Sequence, residues 1–82
     1  MSAPVDKEPL RAHFTAKIGG DRGLLPKDGE SLVDEGILDS FGLAELSSVI
    51  EATYGIRVGD EDLSLATFES IDKIAAYISG RR

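Results

Sequence analysis

The chain has 82 residues, 41% of them hydrophobic and 29% charged, with no cysteine and a formal charge of −6. That length forms one domain, residues 1–82, which buries roughly two-thirds of its unfolded surface and leaves little room for an elaborate active site. The composition excludes a disulfide framework and thiolate metal sites, and no apolar run approaches the ~20 residues of a membrane span.

Residues 1–8 lack the apolar stretch of a secretory signal, so a cytoplasmic protein is expected. Residues 1–6 and 81–82 are expected to be flexible ends. Between residues 28 and 72 there are twelve acids and a single base, Arg57. A field of that sign repels phosphate backbones and anionic lipid, which argues against nucleic-acid and membrane partners. It favours encounter with proteins that carry basic patches, although acidic surfaces also serve plain solubility.

The first predicted helix carries Leu10, Phe14 and Ile18 at every fourth position, with Pro9 in its opening turn and Gly19-Gly20 as its stop. About twenty residues follow before the next helix. Leu24, Leu25, Leu32, Val33, Ile37 and Leu38 provide apolar anchors along this stretch. It reads as a long loop packed over the helices, with one helical turn near residues 31–34.

The second predicted helix runs from about Ser40 to Tyr54 and ends at Gly55. At about 100° per residue, Leu43, Leu46, Ile50 and Tyr54 share one narrow sector that must face the core. Ser40, Phe41, Ala44, Glu45, Ser48 and Glu51 occupy another. Phe41 is the residue that does not suit a plain solvated face, and it could equally fold back under the long loop. Ser40 stands where free backbone N–H groups and the helix dipole favour an anion, although an N-cap role for Asp39 or Ser40 is the commoner use.

Residues 64–68 read as one short helical turn, with Leu65 and Phe68 in the core. Ser70 then caps a last helix with Ile71, Ile74, Ala75 and Ile78 on one face and Gly80 behind it. The fold class is therefore all-α: a small four-helix bundle of three longer helices and one short. Ile56 and Val58 alternate, but so short a strand has no visible partner.

The string Gly36-Ile37-Leu38-Asp39-Ser40-Phe41-Gly42, followed by Leu43-Ala44-Glu45-Leu46, resembles the attachment motif of acyl carrier proteins. The resemblance extends over the helix order and the closing segment from Phe68 to Ile78, which is similar to the peptidyl-carrier branch. It implies a 4′-phosphopantetheine arm on Ser40, with Asp39, Phe41 and Gly42 completing the attachment motif. Phe41, Ala44, Glu45, Ser48 and Glu51 would form the docking face beside it. The implied partners are a phosphopantetheinyl transferase, an acyl- or aminoacyl-activating ligase or adenylation enzyme, and synthase or transferase enzymes, with the carrier itself a monomer.

The chain departs from fatty-acid-synthesis carriers in placing two residues between Gly36 and Asp39, Phe41 after the serine, and Gly42 where an acid is common. It looks closer to freestanding carriers such as D-alanyl carrier proteins. Amino-acid activation, specialised polyketide or peptide synthesis, and fatty-acid synthesis suit it in that order.

No catalytic role is expected. His13 is the only histidine, far in sequence from Ser40, and a triad of Ser40, His13 and Asp39 has no support in spacing. No metal site is expected either: a calcium loop starting at Asp60 would have Leu65 at its sixth position and Ile71 at its twelfth. The alternative to a carrier is a helical protein-interaction module of the same fold without the prosthetic group.

Overall fold

The computed structural model describes residues 4–81. Three α-helices are present: α1, Glu8–Lys17; α2, Ser40–Tyr54; and α3, Ile71–Arg81. Two short 3₁₀ turns, Arg22–Leu24 and Asp60–Asp62, lie in the connections, and the described residues contain no strand.

Helix α1 buries Leu10 and Phe14, one turn apart, as the spacing predicts. Ile18 falls at its C-cap and is half-buried, and Gly19 and Gly20 take the left-handed conformations that end it. Helix α2 runs antiparallel to α1. Lys17 at the end of α1 pairs with Glu45 in the first half of α2, whereas the Tyr54 hydroxyl at the end of α2 donates to the Asp6 carbonyl before α1. The core joins Leu10 and Phe14 to Leu43, Leu46 and Ile50 of α2 and to Ile71, Ile74 and Ile78 of α3. Val58 and Phe68 close it from the connections.

The segment between α1 and α2 is packed, as its apolar residues predict. Leu32 and Leu38 are fully part of the core, and Leu25, Val33 and Ile37 lie against it. Leu24 departs from that expectation: it is 69% exposed on its 3₁₀ turn. Two backbone bonds fasten the segment to the approach and first turn of α3, Leu32 N–H to the Glu69 carbonyl and Asp72 N–H to the Asp28 carbonyl. Arg11 anchors it to α1 through both Asp28 carboxylate oxygens.

Two expectations at the C-terminal side are corrected. Residues 64–68 make the single helical turn expected, with the Phe68 N–H on the Ser64 carbonyl, but it does not extend to an α-helix, so the described residues hold three α-helices instead of four. The Ser64 hydroxyl accepts the Thr67 N–H and also bonds the Thr67 hydroxyl, capping this turn. One turn is below the length at which helix propagation repays nucleation. Phe68 is nonetheless buried and Leu65 half-buried, as expected of core residues.

Gly80 does not end α3, which continues to Arg81 with Gly80 in a right-handed conformation. The Arg81 guanidinium lies over the Tyr77 ring at 5.8 Å and donates to the Arg57 carbonyl, tying down the last turn. Ser70 caps the other end through its hydroxyl, which accepts the Lys73 N–H at 3.1 Å.

Of the ends expected to be flexible, residues 1–3 and 82 lie outside the described residues. Val5 packs against the core, and the Asp6 carboxylate accepts the Glu8 N–H.

Candidate functional site

The approach to α2 is built by one tight turn. Glu35 N–H reaches the Ser31 carbonyl, which makes the helical turn expected near residues 31–34, and Gly36 N–H reaches Val33. The Leu32 carbonyl then accepts from both Ile37 and Leu38. Gly36 has φ of +73°, which a side chain rarely tolerates, and this reversal turns the chain back towards the bundle. The two residues between Gly36 and Asp39 follow from this geometry. Ile37 and Leu38 are spent on anchoring, and buried Leu38 delivers Asp39 to the helix start.

Asp39, in extended conformation, is the N-cap: its carboxylate accepts the Gly42 N–H at 2.9 Å. That separates the roles left open between the two residues. Ser40 is the first residue of the helix, it is exposed, and its hydroxyl has no hydrogen-bond partner among the described residues. The opening N–H groups of a helix have no acceptor within it, and the positive end of the dipole lies there, so an anion on the Ser40 oxygen is electrostatically favoured. Gly42 is buried, and a Cβ there would lie 3.4 Å from the Leu38 side chain.

Leu43, Leu46 and Ile50 are buried and Tyr54 half-buried, as the helical sectors predict. Phe41, Ala44, Glu45, Ser48 and Glu51 are all exposed. Phe41 is 90% exposed and does not fold back under the loop. The Ser48 hydroxyl donates to the Ala44 carbonyl, as does that of Ser47.

The two acids of α2 are both engaged within the molecule. Glu45 pairs with Lys17 at 3.0 Å, and that ammonium holds its carboxyl below the usual range. Glu51 turns back along the chain and accepts the Val58 N–H at 2.8 Å. These two contacts, and the part played by Lys17, escaped the sequence reading. The available signal was modest: Lys17 stands one turn after His13, so both fall on one side of α1.

His13 is 11% exposed, edge-on to Phe14, with its Nε2 buried and without a hydrogen-bond partner. Its nearest charged group is Glu45, at 4.0 Å. Burial pushes its pKa below the ordinary 6.5, against the pull of Glu45. Asp39 is committed to the cap and His13 to the α1–α2 seam, so Ser40, His13 and Asp39 make no triad. Asp60, Glu61 and Asp62 form the second 3₁₀ turn, where Asp62 accepts the Tyr77 hydroxyl. Among the described residues no group of three or more His, Asp or Glu side chains could hold a metal ion. No helix among them is long and apolar enough to cross a membrane.

Residues 10–78 match the family profile described as phosphopantetheine attachment site. The chain is also similar to the meromycolate extension acyl carrier proteins of Mycobacterium bovis and Mycobacterium tuberculosis. Identity is 31% over 78 residues, which is 92% of this chain and 66% of the relatives' length. No solved structure matches the chain significantly.

Proposed function

The chain belongs to the phosphopantetheine-attachment family of carrier proteins, and from that premise we propose that Ser40 bears the arm. Carriers of this family are not themselves enzymes, and their prosthetic group is covalently attached 4′-phosphopantetheine. The observation that carries the assignment to Ser40 is the division of labour at the start of α2. Asp39 supplies the cap, which leaves the Ser40 hydroxyl exposed and unpartnered. Its oxygen is the acceptor for the phosphate ester, and the helix N-terminus stabilises the resulting charge. Gly42 and Leu38 hold that turn in shape from below.

When attached, the group supplies a terminal thiol that carries acyl or aminoacyl cargo as a thioester, which accounts for thiol chemistry in a chain without cysteine. The mycobacterial relatives are named as acyl carriers, which supports acyl cargo here ahead of aminoacyl cargo. Partners under this reading are a phosphopantetheinyl transferase, a cargo-activating ligase and the synthases that use the cargo, all in the cytoplasm. Phe41, Ala44, Glu45, Ser48 and Glu51 form the exposed docking face, on which Glu45 and Glu51 also make contacts within the molecule.

Loading tests the proposal. The modified chain should take an acyl group from a broad-specificity acyl-activating ligase with ATP, as a bond labile to neutral hydroxylamine. Ser40→Ala should take none. A hydroxylamine-labile load on Ser40→Ala would overturn the assignment.

A further inference from the structure

Glu45 is the acid of α2 nearer Ser40 and Phe41; Glu51, ten residues beyond Phe41, is exposed and accepts the Val58 N–H. Glu45 is itself already paired: Lys17 reaches it from α1 at 3.0 Å, and the two side chains remain 29% and 56% exposed. On the inner side of Glu45 lies the His13 ring, which is neutral near pH 7 because burial lowers its pKa. Among the described residues, no cation other than Lys17 is paired with Glu45. Around Phe41, α2 therefore presents little uncompensated charge; the unpaired charge of Glu51 lies ten residues further along the helix. The helix offers a strongly exposed aromatic, Phe41, beside small residues.

We propose that Lys17 is a specificity-determining residue for partner docking: by holding Glu45 it leaves the part of the face around Phe41 nearly neutral and apolar, suited to a partner with an apolar pocket and few cations. A partner relying on arginine or lysine would have to displace Lys17 before gaining Glu45. Exposed ion pairs are individually weak, so the effect is graded: Lys17 tunes the preference by a few-fold. This rests on the carrier reading for its biological meaning, whereas the contact itself does not depend on the arm.

The test uses hexaarginine amide as a cationic probe, titrated into the unmodified chain at low salt and followed by backbone amide shifts. Lys17→Gln should bind the peptide two- to fivefold more tightly than the wild type, with the added shifts centred on Glu45. Lys73→Gln removes the same charge from an exposed pair with Glu69 on α3 and controls for net charge. The gain should vanish in Lys17→Gln/Glu45→Gln. Equal affinity for Lys17→Gln and wild type would overturn the proposal. So would an equal gain with Lys73→Gln at the Glu45 amides, or a gain that survives in the double variant. If the wild type accepts no phosphopantetheine even from its own organism's transferase, the carrier reading fails, and the peptide titration still reports on Lys17.

Discussion

Glu51 on α2 reaches past the helix end at Gly55 and takes the backbone N–H of Val58 on its carboxylate, at 2.8 Å. Val58 is part of the core, so this bond fixes where the chain leaves α2 and re-enters the bundle. An acid on the face beside Ser40 thus serves the fold.

Removing that acceptor leaves a part-buried N–H unpaired, which costs about 1–3 kcal/mol. Glu51→Ala should therefore lower the urea midpoint and speed exchange of the Val58 amide, while Glu51→Gln, which keeps an acceptor oxygen, should lose less. Equal losses for the two variants would show that the bond is not the cause.

Asp39 is the cap of α2, and loss of such a cap costs about 0.5–2 kcal/mol. Asp39→Asn retains an acceptor and should stay near wild-type stability, whereas Asp39→Ala should be clearly destabilised in chemical unfolding. An Asn variant as unstable as the Ala variant would contradict the capping role.

Two phenylalanines should separate stability from docking. Phe14 is fully buried, and Phe14→Ala should cost about 3–5 kcal/mol. Phe41 is 90% exposed, and Phe41→Ala should change stability by less than about 0.5 kcal/mol. Its effect should instead appear as a roughly tenfold drop in kcat/KM for phosphopantetheinyl transfer, the scale of an aromatic anchor at an interface. Unfolding curves and transfer kinetics on the same two variants check both halves.

Acidification should act in two windows. The His13 pKa is lowered by burial, so the folded state binds fewer protons there than the unfolded chain. Its contribution is fully present above pH 6.5 and is lost as pH falls through the depressed folded value. Carboxylates follow at lower pH: Glu8, held down to about 2 by Arg22 and Arg11, and Asp28, held down by Arg11, lose theirs below their ordinary values. A ring-proton titration of the single histidine should show a midpoint below 6.5, lowered further by Glu45→Gln. A midpoint at or above 6.5 would contradict the buried, neutral ring.

The bounds of α2 and the cap at Ser70 are legible because they depend on local rules: apolar spacing, a Ser at the boundary, and glycine at the end; the same rules leave Asp39 and Ser40 equally eligible as the cap of α2, which the Asp39–Gly42 bond decides. The same rules overcount at residues 64–68, where one helical turn does not extend to a helix, and misjudge Gly80, which Arg81 carries through as helix by contacts with Tyr77 and Arg57. Leu24 looked like an anchor because leucines usually are; its position on a 3₁₀ turn leaves it outside. At the proposed site, the motif points to Ser40 and its neighbours. The Lys17–Glu45 and Glu51–Val58 contacts depend on tertiary packing and on the reach of side chains, which helical spacing does not encode.

The assignment of Ser40 is tested most directly by intact mass before and after incubation with a broad-specificity phosphopantetheinyl transferase, coenzyme A and Mg²⁺. The wild type should gain one phosphopantetheine, and folded Ser40→Ala should gain none. A folded, initially unmodified wild type that gains nothing even from its own organism's transferase would contradict the account, as would a gain on Ser40→Ala.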